Sequence, residues 1–544
     1  MDSKIIDKNP SLDALEKALE RKNQITRIAV VSIVVLLMVT GGWVAVGVWG
    51  YQPPEPTPLE KCLTGTFVEF QLDWFESLAM GSRISEEIAE RRKAKVHKTA
   101  DKMLNELEAM DPELRRVFEP LMAGIMEFDH TTLFLEDKSG ELHQWLSPIN
   151  EQLAKYEPRF YLDPEPFDGM VEDEFVSAFM LVVYEVLDHR VYTLSTGGDE
   201  PVELMVVRRR DTLDADAYIH GYVRRDDADA AFVLQDNATS FVADHLFPSL
   251  LEPDAAFNEL FKDELPGELK KPYRVLMELV QMELQEAAGV DREALKDVAR
   301  LVAKRASIFK SVEHRARKFG LPLKKPDGLL WPRSFTRQVM IENTELNQQG
   351  EELTSDKEME QLSKLARQLD EDEANQILVK ISDLMVQSVG AHEARHVVDV
   401  RGDTPLSDCI RQRVQIVDGD IGFLTRVDRE TRAFLTQMLQ SPASVRLTTM
   451  RLLNYLYAGR ANVYGYAART ILHTIAYPEG ESPPGGSRYY YLEDLTARLA
   501  ALDVETTSQR ARVFYEECFG PYEELELQES EAPDDSSGCQ VNRW

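Results

Sequence analysis

Residues 28–49, IAVVSIVVLLMVTGGWVAVGVW, run for 22 positions without a charged side chain. No other stretch of the chain so narrows its own fold. At about 1.5 Å per residue a helix of this length reaches about 33 Å, enough for a hydrocarbon core of about 30 Å. Trp43, Trp49 and Tyr51 gather toward one end, where amphipathic rings settle at a membrane interface. A cleaved signal peptide is the competing reading, with Ala45-Val46-Gly47 as its small-x-small site. Signal h-regions usually run about 7–15 residues, however, and the length favours an uncleaved anchor. Arg21, Lys22 and Arg27, with Lys17 behind them, flank the run on its N-terminal side, whereas only Lys61 lies near its other end. The positive-inside rule then predicts a short cytoplasmic segment 1–27, a transmembrane helix 28–49, and a large extracytoplasmic (periplasmic or extracellular) remainder. No other stretch approaches spanning length, so a single pass is expected.

The remaining chain is too long for one ordinary domain, since the whole has 544 residues. Its formal charge of -32 would repel phosphate backbones, so nucleic acid is excluded as a partner. Four cysteines, Cys62, Cys409, Cys518 and Cys539, show neither CxxC spacing nor a zinc-ribbon pattern. They allow one or two disulfides in an oxidising compartment, with connectivity left open.

Residues 50–62 are proline-rich and read as a stiff stalk. An exported region, 63–330, comes next. It is mainly helical to about Asp188, with a small antiparallel β meander at 190–234 where VYTL, VELMVV and AYIHGYV alternate with turn residues. The break FGLPLKKPDGLLWPRS at 319–334 marks a boundary. Beyond it lies a helical unit, 335–522, and then an acidic tail, 523–544, expected to be disordered. The fold class is thus mainly α with a small β component, α+β.

Chemistry concentrates in VGAHEARHVVD. His392 and His396 are four apart, which puts both imidazoles on one helical face where they can share a metal ion. Ile377, Leu378, Ile381, Leu384, Met385 and Val389 form an apolar stripe that the two histidines continue, so the motif belongs to a helix with its histidines turned inward. Glu393 stands beside them, able to take a proton from water that the metal activates. The bland alternative is a pair of buried histidines satisfied by neighbouring carbonyls, with Glu393 in a surface pair. Asp399 reads in two compatible ways: a carboxylate that orients an imidazole or the next helix, or an i,i+4 partner of Arg395.

These residues resemble the zincin superfamily of metallopeptidases. The resemblance covers about 392–435 and implies Zn2+ and a third protein ligand. The HExxHxxGxxH branch is excluded, because its Gly and third His positions hold Asp399 and Gly402. In the glutamate-ligand branch a downstream helix supplies a Glu, and DRETRAFLTQM at 428–438 suits that role. There Asp428 can cap a helix and Glu430 shares a face with Phe434 and Met438. From Thr431 through Pro478 there is no acidic residue at all, so Glu430 is the last acid before a long helical region. Its plainer reading is a glutamate favoured by a helix dipole, and Asp403, Asp420 and His473 remain alternative ligands. The single histidines (His97, His130, His143, His189, His220, His245 and His314) and the tyrosines of NYLYAGRANVYGY read as ordinary surface or packing residues.

The sequence thus leads to the expectation of a membrane-anchored zinc metalloprotease acting on a peptide or protein substrate. His392, His396 and Glu430 would hold the metal, and Glu393 would be the general base. The rival is a catalytically inactive zincin-like envelope protein with a structural or binding role. In the first case the β meander would offer an edge strand for an extended peptide.

Overall fold

In a computed structural model the described residues are 56–78, 86–127, 139–171, 174–195, 201–210, 221–223, 230–253, 270–318, 329, 353–402, 404–414, 420–457, 462–478, 481 and 488–528. The expected cytoplasmic segment and transmembrane helix, residues 50–55 of the stalk, most of the 319–334 break, and residues Asp403 and Cys539 lie outside them. The rest of the expected stalk is no stalk: Pro58–Lys61 is helical, and Leu59 and Cys62 are buried in a core. Among the described residues no helix is long and apolar enough to cross a membrane. The described residues from Pro56 onward pack as one unit.

The chain opens with helices α1 (Phe67–Leu78), α2 (Glu86–Met110), α3 (Pro112–Glu127) and α4 (Ser139–Leu153). Strands β1 (Phe160–Val171), β2 (Glu174–Leu194), β3 (Val202–Arg209), β4 (Gly221–Val223) and β5 (Ala230–Leu234) follow. Next come α5 (Gln235–Phe241), α6 (Phe247–Leu251), α7 (Lys270–Ala288), α8 (Arg292–Lys318), α9 (Asp356–Leu369) and α10 (Asp372–Arg401). The last elements are α11 (Asp408–Arg413), α12 (Ile421–Leu439), α13 (Pro442–Tyr457), α14 (Val463–Ala476), α15 (Arg488–Ala501), α16 (Val504–Phe519) and β6 (Leu525–Gln528). The protein is mostly helical with one small sheet, an α+β fold.

That sheet differs from the expected meander in three ways. It is mixed, with order β1-β2-β3-β5-β4, because β5 slots between β3 and β4 and lies parallel to β3. It begins at Phe160, inside the region expected to be helical, with β1 and β2 paired from Phe160–Glu185 to Val171–Glu174. It also recruits β6, whose residues Leu525–Gln528 pair with Val191–Leu194 inside the stretch expected to be disordered. For the β1–β2 hairpin the physical reason is that both strand faces are buried, from Phe179 through Tyr184 without a break, whereas β6 is mostly exposed and too short to show a strand pattern. A doubly covered strand shows a continuous apolar run instead of an alternating one.

The alternation is there, but between two cores. Val207, Phe232 and Leu234 join a core built with α1–α4, whose members include Phe67, Phe118 and Leu146. Leu204, Val206, Ala231 and Val233 turn to the other face and meet Val386, Val389, Ala394 and Val397 of α10. Helix α10 is therefore buried against the sheet along its second half. Its first half, through Ile377, Leu378, Ile381 and Met385, joins a third and larger core made by α7, α8 and the C-terminal helices. Helices on both sides of the 319–334 break, such as α7 with Leu276 and α13 with Leu452, share that core.

Cys409 and Cys518, at a sequence separation of 109, form a disulfide linking α11 to the end of α16. Cys62 is buried and free.

Candidate metal centre

Gly390 sets how closely α10 approaches the sheet. A Cβ built there would stand 2.7 Å from Leu204 Cδ2 and 3.1 Å from the Tyr192 hydroxyl. Two residues later the same helix presents His392, and one turn on, His396. Facing them is α12. Its start is fixed by Asp420, whose side chain accepts from the Gly422 and Phe423 amides. From that start the helical period brings Glu430 and Phe434 round to α10.

Two buried polar ties hold the helices together on either side. Gln437 Nε2 donates to Ser388 Oγ at 2.8 Å. At the other end Arg432 Nη1 donates to Asp399 Oδ1 at 3.2 Å, and Arg395 Nε and Nη2 donate to that same oxygen at 3.0 and 2.8 Å. Contacts climb one helix as they descend the other, so the pair runs antiparallel.

Beside these ties, His392 Nε2 lies 3.3 Å from Glu430 Oε2, and His396 Nε2 lies 3.6 Å from Glu430 Oε1. The two Nε2 atoms are 3.1 Å apart. Ligands held about 2.1 Å from a common tetrahedral centre stand about 3.4 Å from one another, so three donors at these spacings fit one ion. Glu430 Oε2 is buried and accepts no aligned hydrogen bond, as a carboxylate oxygen directed at a cation would. His392 Nδ1 is also buried without a partner. Among the described residues this is the one grouping of three or more His, Cys, Asp or Glu side chains that could hold a metal ion.

The electrostatics follow from burial and crowding. Burial pushes the His392 imidazole down to about 4, against the pull of Glu430. For His396 burial acts in the same direction, but the Glu430 carboxylate outweighs it and raises the imidazole to about 9. Glu430 loses to its neighbours: burial would raise it, yet the two imidazoles hold it well below the usual carboxylate range. Glu393 is pushed by burial to about 7, with His396 opposing. A carboxyl poised there can both accept and return a proton near neutrality.

Of the sequence candidates, the structure brings His392, His396, Glu393 and Glu430 together. Asp420 is occupied as the cap of α12, and His473 packs with Tyr477 and Tyr491 away from the cluster. Asp399 makes no hydrogen bond to either imidazole. It is fully buried, and it bonds both Arg395 and the next helix. Beside it Asp428 does not cap α12 but lies within that helix, accepting from the Ser407 amide and from Arg432.

No protein-family model, curated protein or solved structure matches the chain.

Two further groups stand near the cluster, a set of aromatic rings that read from the sequence as packing residues and an arginine that no motif marks. Phe434 lies 4.5 Å from the His392 ring, centroid to centroid, and Tyr455 and Tyr464 stack at 5.4 Å beside it. Under these rings runs Arg451, its guanidinium carbon 5.7 Å from the Phe434 centroid and 6.0 Å from that of Tyr455. Its charge reaches His392, Glu393 and Tyr464. The absence of acids from Thr431 to Pro478 is the clue that such a cation is left without a local counter-ion.

Proposed function

We propose that this protein is a zinc-dependent metallopeptidase, held to the membrane by residues 28–49 and acting outside the cytoplasm. The observation that carries the reading is the convergence of His392, His396 and Glu430, with ligand atoms all within 4.8 Å of one another and a buried Glu393 one residue from the first. Two imidazoles and one carboxylate form a donor set that suits zinc and leaves a position open for reactants. Zinc bound there would polarise a peptide carbonyl and lower the pKa of water.

The chain's own residues supply the rest. Glu393 takes a proton from the attacking water as its oxygen bonds to the carbonyl carbon. It then delivers that proton to the departing nitrogen as the C–N bond breaks, giving a carboxylic acid and an amine. His396 and Glu430, each 16% exposed, mark the side from which a substrate can enter, since His392 is sealed at 5%. The Asp399–Arg395–Arg432 and Ser388–Gln437 ties keep the two ligand-bearing helices in register, and ligand geometry depends on such support.

The test is zinc content of the purified full-length chain by elemental analysis, beside hydrolysis of a mixed peptide pool. About one zinc per chain, lost in His392→Ala and Glu430→Ala, is expected of a site with this many ligands. Glu393→Gln should keep the metal and lose hydrolysis. A wild-type chain that takes up no zinc would overturn the proposal, and one that binds zinc without cleaving any peptide would leave a binding protein.

A further inference from the structure

Three arginines are buried in the acid-free stretch between Thr431 and Pro478: Arg432, Arg446 and Arg451. Each needs hydrogen-bond acceptors from elsewhere, because a guanidinium out of water and unpaired costs several kcal/mol. Arg432 has Asp399 and Asp428. Arg446 has Glu283 at 3.2 Å and two main-chain carbonyls, those of Leu499 and Leu502. Arg451 is only 9% exposed, yet no carboxylate or other hydrogen-bond acceptor meets it among the described residues, and its Nε is buried without a partner. Aromatic faces lie against it, with the Phe434 centroid 5.7 Å and the Tyr455 centroid 6.0 Å from its guanidinium carbon.

We infer that Arg451 receives a carboxylate of the substrate, so that the enzyme selects peptides bearing a negative charge beside the bond it cleaves. The placement supports this. Phe434 touches both groups, its centroid 5.7 Å from the guanidinium carbon and 4.5 Å from that of the His392 ring, so an anion on Arg451 lies near the metal ligands. A guanidinium fork matches a carboxylate with two parallel bonds, and a low-dielectric aromatic setting strengthens them. The chain's charge of -32 disfavours polyanions, leaving a single carboxylate as the fitting ligand. Peptides carry that group in two places, at the C-terminus and on Asp or Glu side chains. Tyr464, 39% exposed and stacked on Tyr455, forms the outer part of the same wall.

The inference rests on the peptidase reading, but its test does not need turnover. Full-length Glu393→Gln protein, loaded with zinc, is titrated calorimetrically with three probes: Ac-Ala-Phe-Ala as the free acid, the same peptide as the C-terminal amide, and Ac-Ala-Phe-Glu amide. One or both of the acid-bearing peptides should bind at least tenfold more tightly than the neutral amide, and which does so identifies the source of the carboxylate. Adding Arg451→Met should erase the preference, whereas Arg451→Lys, which keeps the charge, should retain part of it and serves if the methionine variant does not fold. Equal binding of all three probes, no binding, or a preference that survives Arg451→Met would overturn the inference. Failure of the wild type to cleave peptides would instead count against the peptidase reading, with the carboxylate preference left standing.

Discussion

Arg432 reaches across from α12 to Asp399 of α10 at 3.2 Å, with side-chain exposures of 6% and 0%. This pair lies one turn from His396 and two residues from Glu430, so it fixes the spacing on which any shared ligand depends. Removing one partner strands the other as a buried charge. Asp399→Ala should therefore lower stability by about 3–5 kcal/mol. A double-mutant cycle with Arg432→Ala, read by urea denaturation, should show a coupling of about 1–3 kcal/mol. Additive losses would mean the two helices are held by other contacts.

Gly390 makes a second prediction about the same helix. Alanine there gains about 1 kcal/mol of helix propensity but places a methyl group against the buried Leu204 and Tyr192, an overpacking that costs about 1–3 kcal/mol. The expected net result is a lower melting temperature and weaker metal uptake, since His392 moves with the helix. In a Leu204→Ala background the space is already open, and Gly390→Ala should there become neutral or stabilising.

Glu283 predicts how stability changes with pH away from the metal site. Burial raises its carboxyl to about 8, despite Arg446, and its Oε2 has no hydrogen-bond partner. The ordinary value is 4.5. Between these two values the folded chain holds a proton that the unfolded chain has released, so stability falls as pH rises through that window. Glutamine cannot titrate. The stability of the wild type relative to Glu283→Gln should drop from pH 5 to pH 8, measured as urea midpoints at matched slopes, and a flat difference would refute the assignment.

The Cys409–Cys518 bridge closes a span of 109 residues that contains α12, α13, α14 and α15. Cross-linking a loop of that size restricts the unfolded chain by about 4–5 kcal/mol in the chain-entropy account. Cys409→Ser with Cys518→Ser should lower the melting temperature by an amount that non-reducing and reducing scans of the wild type reproduce. The variant should still bind metal, because no ligand lies on α11 or α16.

The site is more legible in the sequence than the fold around it. His392 and His396 announce a helical face through their spacing and the apolar stripe before them. Glu430 stands out because no acid follows it for nearly fifty residues. The hairpin of β1 and β2 does not show itself. In FMLVVYEV every residue from Phe179 through Tyr184 is buried in the core built with α1–α4, and such an unbroken apolar run reads equally well as helix or strand. In LELQ the alternation is only two residues deep, lost in an acidic surrounding. Arg451 has no motif to mark it. Its significance comes from what fails to surround it, and absence of a partner is a property of three-dimensional packing.

The pairing of β6 with β2 has a consequence for how this molecule is made. Glu524 donates its amide to Ser195, 329 residues earlier in the chain, and Leu525 packs on the same sheet face as Val389 and Ala394 of α10. A ribosome adds about 5–20 residues per second, so the sheet stands with a vacant segment for about 4–17 seconds after the helices that carry His392 and Glu430 are synthesised. The sheet is complete only when Leu525–Gln528 arrive. Any early stop, or any clip that frees the C-terminal strand, leaves an unzipped edge directly behind the candidate metal centre.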